Sequence, residues 1–300
     1  MTAPTGHWSD IGMDTISLAG PLEAKLRAIR GAGFTQVMIS ARDLAGHVDG
    51  LDAAVRAVKE SGLKVTAFQG LRDFEGLDGT LHAYKVDIAK SLLGMCAAVG
   101  SPILVATSCA LPHASDDPDV IARDLRKLAM LAVPLGVKIA YVALSWGRAI
   151  TDFEAALDVV GRADMPNLGI GIDSFHALAT HSAPEKLEVV LPESIFMVQL
   201  SDFMVASLPS NADRITTAEH LRVFPGEGMH SQQLAGLVQR LSAMGYRGSF
   251  SLQVYNDDYQ QMDPVAVAQR ARACAVWLGE DVLKRAAPLP WSFLKRVERA

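Results

Sequence analysis

Short apolar runs alternate with amphipathic stretches along the whole chain. Runs rich in β-branched and aromatic residues, bounded by glycine, proline or polar clusters, read as strands. Eight stand out: DTISL (14–18), TQVMIS (35–40), LKVTAFQ (63–69), PILVAT (102–107), VKIAYVAL (137–144), NLGIGID (167–173), SIFMVQLSD (194–202) and GSFSLQVY (248–255). Between them the period changes. Over 117–135, Ile121, Leu125, Leu128 and Ala132 recur at i, i+4, i+7 and i+11, which is one face of a helix. Asp263-Pro264 reads as an N-cap followed by proline at the first helical position, with Gly279 as the stop of that last helix. In GAGF (31–34), ESGL (60–63), PLGV (134–137) and AMGY (243–246), a glycine stands where a helix turns into the next strand.

Eight β/α units in 300 residues, evenly spaced and with no linker or low-complexity break, predict a closed TIM (β/α)8 barrel. A doubly wound open sheet is the alternative. The barrel is expected over residues 1–280. Residues 281–300 (DVLKRAAPLPWSFLKRVERA) form a basic C-terminal helical extension, packed on the barrel exterior or on a partner subunit.

Barrel sites lie at the C-terminal ends of the strands, and side-chain alternation separates residues facing the axis from those facing the helices. In GSFSLQVY, Phe250, Leu252 and Val254 share one side, which puts Gln253 inside. In SIFMVQLSD, Phe196, Val198 and Leu200 pack outward and Gln199 points in. In NLGIGID, Gly169 and Gly171 lead to an inward Asp173. VKIAYVAL is apolar on both sides, and analogy with its neighbours makes Val142 the inward residue at the mouth. Four adjacent strands therefore bring one acid, two amides and a valine to one place. A carboxylate buried at a strand end needs partners, and barrel mouths are where such groups do chemistry.

Composition narrows the partners. A net charge of −5 and a pI near 5.9 argue against nucleic acid, whose binders present a basic face. Cys96, Cys109 and Cys274 are sparse, odd in number and far apart, which suits reduced thiols in a cytoplasmic protein. The N-terminal MTAPTGHWSDIGMD lacks the basic and apolar regions of a signal peptide, and no run is long enough to span a membrane. The expected partner is a small-molecule ligand, with a homo-oligomer as a further possibility.

Several stretches carry a family likeness: TISLAGPLEAKLRAI, FQGLRDFEG, LSWGR, ADMPNLGIGIDSFH, VQLSD, FPGEG and YRGSFSLQVYND, in order over roughly residues 14–260. On these the chain resembles the sugar phosphate isomerase/epimerase superfamily of xylose isomerase-like TIM barrels, and within it the bacterial 3-dehydroshikimate dehydratases. Some of these carry a dioxygenase-like domain after the barrel, and in a chain of 300 residues none is expected. The resemblance implies one divalent metal held by Glu, Asp, His or Gln, and Glu from four successive strand ends. Asp173 and Gln199 match the second and third ligands. Val142 stands in YVALSWGR where the family has YEALAWGR, and Gln253 stands in SLQVYND where it has SLEIFND. Hard cations are held chiefly by carboxylate charge, so the expectation is no metal or a weakly bound one.

The resemblance also implies that Arg72, Arg148 and His176 line the pocket, together with Glu227 of the PGEG loop. The arginines suit a carboxylate or phosphate on the ligand. In the absence of metal, Arg72 or Arg148 would stabilise an enolate and His176 would be the general base or acid. Structural roles stand beside these: Arg72 pairing with Asp73 or Glu75, and Arg148 stacking on Trp146. The function expected is a lyase or isomerase acting on a small polyhydroxylated keto compound. The alternatives are an inactive barrel that binds a related ligand or a protein partner, and a different metal chemistry built on Asp173, His176 and another histidine.

Overall fold

Each β-type run pairs in parallel with its neighbour, as strands do when a helix carries the chain back between them. The computed structural model describes residues 8–182, 186–187 and 190–285. The strands are β1 (Ile11–Asp14), β2 (Gln36–Ser40), β3 (Lys64–Arg72), β4 (Ile103–Thr107), β5 (Lys138–Val142), β6 (Leu168–Asp173) and β7 (Ile195–Leu200). A small insertion follows, with β8 (Asp202–Phe203) and β9 (Arg222–Val223), before β10 (Phe250–Leu252). β1 to β7 and β10 close into a barrel in sequence order, with β10 sealing against β1. β8 and β9 form their own antiparallel pair beside the mouth.

The helices are α1 (Leu22–Gly31), α2 (Ala41–Ala45), α3 (Leu51–Glu60), α4 (Gly79–Ala98), α5 (Pro118–Ala132), α6 (Phe153–Ala163), α7 (Ser174–Ala179), α8 (Asn211–His220), α9 (Ser231–Ala243) and α10 (Pro264–Trp277). Local chemistry sets many of their ends. Asp117, Asp152 and Asp263 each accept a backbone N–H of the first helical turn, which satisfies a donor the helix leaves free. Gly33, Gly62, Gly136 and Gly245 all have positive φ at helix-to-strand corners, where a side chain would be strained. Among the described residues, no helix is long and apolar enough to cross a membrane.

Two expectations need correction. The first strand is Ile11–Asp14, so 14–18 overlaps it only at Asp14. Asp14 Oδ1 accepts the Ile16 N–H at 2.9 Å and turns Thr15–Ser17 into a 3-10 helix. Gly279 is not a stop either. α10 runs on into a π turn over Leu278–Val282, closed by the Leu283 N–H on the Leu278 carbonyl at 2.9 Å. Residues 286–300 of the expected extension lie outside the described residues.

Alternation divides the core in two. Met38, Ala67, Val105, Ala140, Val142 and Met197 fill the barrel interior, while Ile139, Tyr141, Ile170, Ile172, Val198 and Leu200 pack outward against the helices. The apolar interior stops at the level of Val142, and polar side chains begin there.

Candidate active site

Above that apolar floor lies a cavity of about 290 Å³, lined by Arg72, Val142, Asp173, His176, Gln199 and Gln253 among others. Register explains the convergence. Asp173 pairs with Gln199, while Gln199 pairs with Ser251 and Val142 with Gly171, two residues before Gln253 and Asp173 respectively, and the four inward residues line one cavity. Val142 pairs with Gly171, and a Cβ built on Gly171 would lie 2.5 Å from Val142 Cγ2. The valine fills space that the glycine leaves open.

Asp173 is the anionic centre. Its Oδ1 caps α7 by accepting the Phe175 N–H at 2.9 Å, and its Oδ2 accepts from Arg222 Nη1 at 2.8 Å. Both side chains are only 4% exposed. Burial opposes the charge on Asp173, and the Arg222 guanidinium more than offsets that, holding the carboxyl below its ordinary value. β9 delivers Arg222, which is fixed on every side. Its Nε donates to the Ala218 carbonyl at 2.9 Å, its Nη1 also reaches Ser201 Oγ at 3.2 Å, and its guanidinium lies 4.4 Å over the Phe175 ring.

His176 sits on α7 with Nε2 facing Asp173 Oδ2 at 3.6 Å. The Ser145 N–H donates to its Nδ1 at 3.1 Å, which places the ring proton on Nε2. Burial drives its pKa down to about 3, against the pull of Asp173. The ring is therefore a neutral N–H donor. Its Nδ1 accepts from the Ser145 backbone, and Nε2 is the end turned towards Asp173.

A second polar chain crosses the mouth. Gln253 Nε2 donates to Gln69 Oε1 at 2.6 Å, and Gln69 Nε2 donates to Asp14 Oδ2 at 2.7 Å. All three are buried, and burial lifts the Asp14 carboxyl to about 8. Gln199 Nε2 makes only a contact of 3.6 Å with Met38 Sδ.

Two expected pocket residues lie elsewhere. Arg148 does not line this cavity; it reaches outward to Asp116 at 3.3 Å in the loop before α5. Trp146 packs edge-on against His176 rather than under Arg148, and it does line the cavity. Glu227 braces the barrel wall, accepting from Tyr259 Oη at 2.6 Å and from Arg270 Nε at 2.9 Å. Glu75 is also withdrawn, buried behind β5 and accepting from Tyr141 Oη at 2.7 Å. Arg72 remains at the cavity but pairs with Glu219 of α8 at 3.4 Å, not with Asp73 or Glu75. Sequence reading passed over Arg222, Asp14 and Gln69. Arg222 sits in a two-residue strand with no period to read, and Gln69 is a neutral side chain in a largely apolar run, with no charge to mark it.

The four strand-end positions do not fit a divalent cation. Val142 has no lone pair, Gln199 and Gln253 are neutral, and the one carboxylate is already neutralised by Arg222. Among the described residues, no group of three or more His, Cys, Asp or Glu is placed to hold a metal ion.

A closed eight-stranded parallel barrel with polar residues gathered at the C-terminal mouth defines a TIM-barrel protein. Residues 26–278 match the xylose isomerase-like TIM barrel family, and the chain belongs to it. It is 37% identical over 247 residues to a 3-dehydroshikimate dehydratase of Pseudomonas aeruginosa, covering 82% of this chain and 38% of that protein. An inosose isomerase of Bacillus licheniformis is 24% identical over 218 residues, covering 71% of this chain and 76% of the relative. Among solved structures, a xylose isomerase-like TIM barrel/4-hydroxyphenylpyruvate dioxygenase fusion protein superposes with a TM-score of 0.85 at 29% identity. That match covers 93% of this chain and 45% of the fusion protein. The chain thus spans less than half the length of the dehydratase and the fusion protein it matches.

Proposed function

We propose that the barrel mouth takes a small, anionic or polyhydroxylated keto compound and acts on it as a lyase or isomerase without a tightly held divalent metal. The Asp173–Arg222 pair carries this reading. Any cation approaching Asp173 meets a guanidinium fixed at 2.8 Å, with only neutral amides to help hold it. Buried, preorganised charge of this kind is suited to a developing enolate oxygen. Arg222 supplies the fixed positive charge, Arg72 a second one at the rim, and His176 a neutral N–H donor. The similarity to dehydratases and isomerases supports the class of ligand.

A second reading, binding without turnover, is favoured by the state of the proton acceptors. His176 Nδ1 is taken by Ser145, and Asp173 is tied to Arg222, so neither is a free base. Purified protein mixed with 3-dehydroshikimate, in chelator and with added Mn²⁺, separates the two by product formation and calorimetry. Turnover in chelator is the expected result. Saturable binding with no product would assign the second reading, turnover only with Mn²⁺ would overturn the metal-free one, and no binding at millimolar ligand would remove both.

A further inference from the structure

We infer that Asp14 and Gln69 are positioning residues that fix the polarity of Gln253, so that its carbonyl oxygen faces the cavity and the ligand must bring a hydrogen-bond donor to that wall. The inference rests on the reading of the mouth as a ligand site, and it narrows the ligand to one with a hydroxyl directed at β10.

The argument starts at the backbone. The Ile16 N–H donates to Asp14 Oδ1 at 2.9 Å, so only Oδ2 is left to face Gln69. Once ionised, this carboxylate oxygen accepts and does not donate, which draws Nε2 of Gln69 to it, at 2.7 Å. An amide has one donor end and one acceptor end, so Gln69 then shows Oε1 to its other neighbour. That oxygen accepts from Gln253 Nε2 at 2.6 Å. With its nitrogen committed, Gln253 has Oε1 left for the cavity that it lines. One carboxylate at the end of β1 thus sets the face of a side chain on β10 through a relay of two amides, all of it buried, where an unmatched pair of acceptors is costly.

The same relay bears on a glutamate placed at this position. A carboxylate at 253 would set oxygen against Gln69 Oε1. If Gln69 turned over to donate to it, its own oxygen would then face Asp14 Oδ2. Two carboxylates at the ends of one amide leave a lone-pair conflict that only an added proton relieves. Asparagine at 14 removes the conflict. The Ile16 N–H holds its oxygen, so its Nδ2 must face Gln69, both amides invert, and a glutamate at 253 finds a donor.

The test is a double-mutant cycle without ligand, at pH 9, where Asp14 is charged. Gln253→Glu should lower the Tm of the parent by roughly 5 °C, the scale of one unsatisfied buried acceptor in a domain of this size. In an Asp14→Asn background the same substitution should cost less than half of that. Neutron diffraction on deuterated crystals at the same pH gives a second readout, since it distinguishes the two ends of an amide. The Gln253 amide nitrogen should face Gln69 in the parent and the cavity in Asp14→Asn. Equal Tm costs in the two backgrounds, or the same end of Gln253 facing the cavity in both crystals, would overturn the relay. Because no ligand enters the cycle, its failure is distinct from a failure to bind 3-dehydroshikimate.

Discussion

At the scale of single residues, the mouth is defined by which charges are paired. Asp173 and Arg222 form a buried pair held by three further hydrogen bonds, from the Phe175 N–H at the start of α7, to the Ala218 carbonyl and to Ser201 Oγ. Removing one partner of such a pair leaves an uncompensated charge out of water, which costs about 3–5 kcal/mol. Arg222→Met should therefore destabilise the protein by about that much in urea unfolding, and adding Asp173→Asn should recover a large part of it. A loss under about 1 kcal/mol for Arg222→Met would show that Asp173 finds another partner or simply protonates. Asp173 was legible in the sequence because it ends an apolar strand with a charge. Arg222 was not, since a short strand in an insertion shows neither alternation nor helical period.

At the scale of elements, β5 and β6 meet at a point of close contact. Gly171 is inward-facing opposite Val142, and there is no space for a methyl group between them. Overpacking of this kind typically costs about 1–3 kcal/mol. Gly171→Ala should lie in that range by equilibrium denaturation, and Val142→Ala in the same chain should bring back part of the loss. Additive losses would mean that the two side chains do not meet. The pairing also explains why an apolar residue is well accommodated at 142. The alternation of NLGIGID placed Asp173 and its glycines, whereas nothing in VKIAYVAL alone distinguished an inward from an outward valine, because both sides of that strand are apolar.

At the scale of the whole molecule, two buried groups tie stability to pH in opposite senses. His176 stays neutral in the fold down to about 3 while the unfolded imidazole takes its proton near 6.5, so the unfolded state binds more protons between those values. Its contribution is present above about 6.5 and is lost as pH falls towards 3. Asp14 works the other way. Its folded carboxyl keeps the proton up to about 8, against 3.8 unfolded, so its contribution is full below 3.8 and is lost as pH rises through 8. The stability of the parent relative to Asp14→Asn should therefore fall between about pH 4 and 8, by up to about 1.4 kcal/mol per unit. Relative to His176→Gln it should fall towards acid. Urea unfolding of the three proteins across that range checks both signs, and parallel curves would mean that neither group is perturbed as described.

Periodicity by itself determined the barrel. Eight apolar runs separated by amphipathic stretches leave few ways to bury every hydrophobic face, and alternation within each run then assigns its inward residues. That was enough to gather Val142, Asp173, Gln199 and Gln253 at the barrel mouth, whereas the expectation of carboxylates at two of these positions came from the family resemblance. Tertiary structure decided what each polar group faces. Arg148 and Glu227 follow the right strands, yet one turns to Asp116 and the other to Tyr259 and Arg270. Arg222 reaches Asp173 across 49 residues, and Gln253 reaches Gln69 across 184. Hydrogen bonds are directional and pairwise, so their partners depend on which side chains the closed barrel brings within 3 Å, and no local period in the sequence records that.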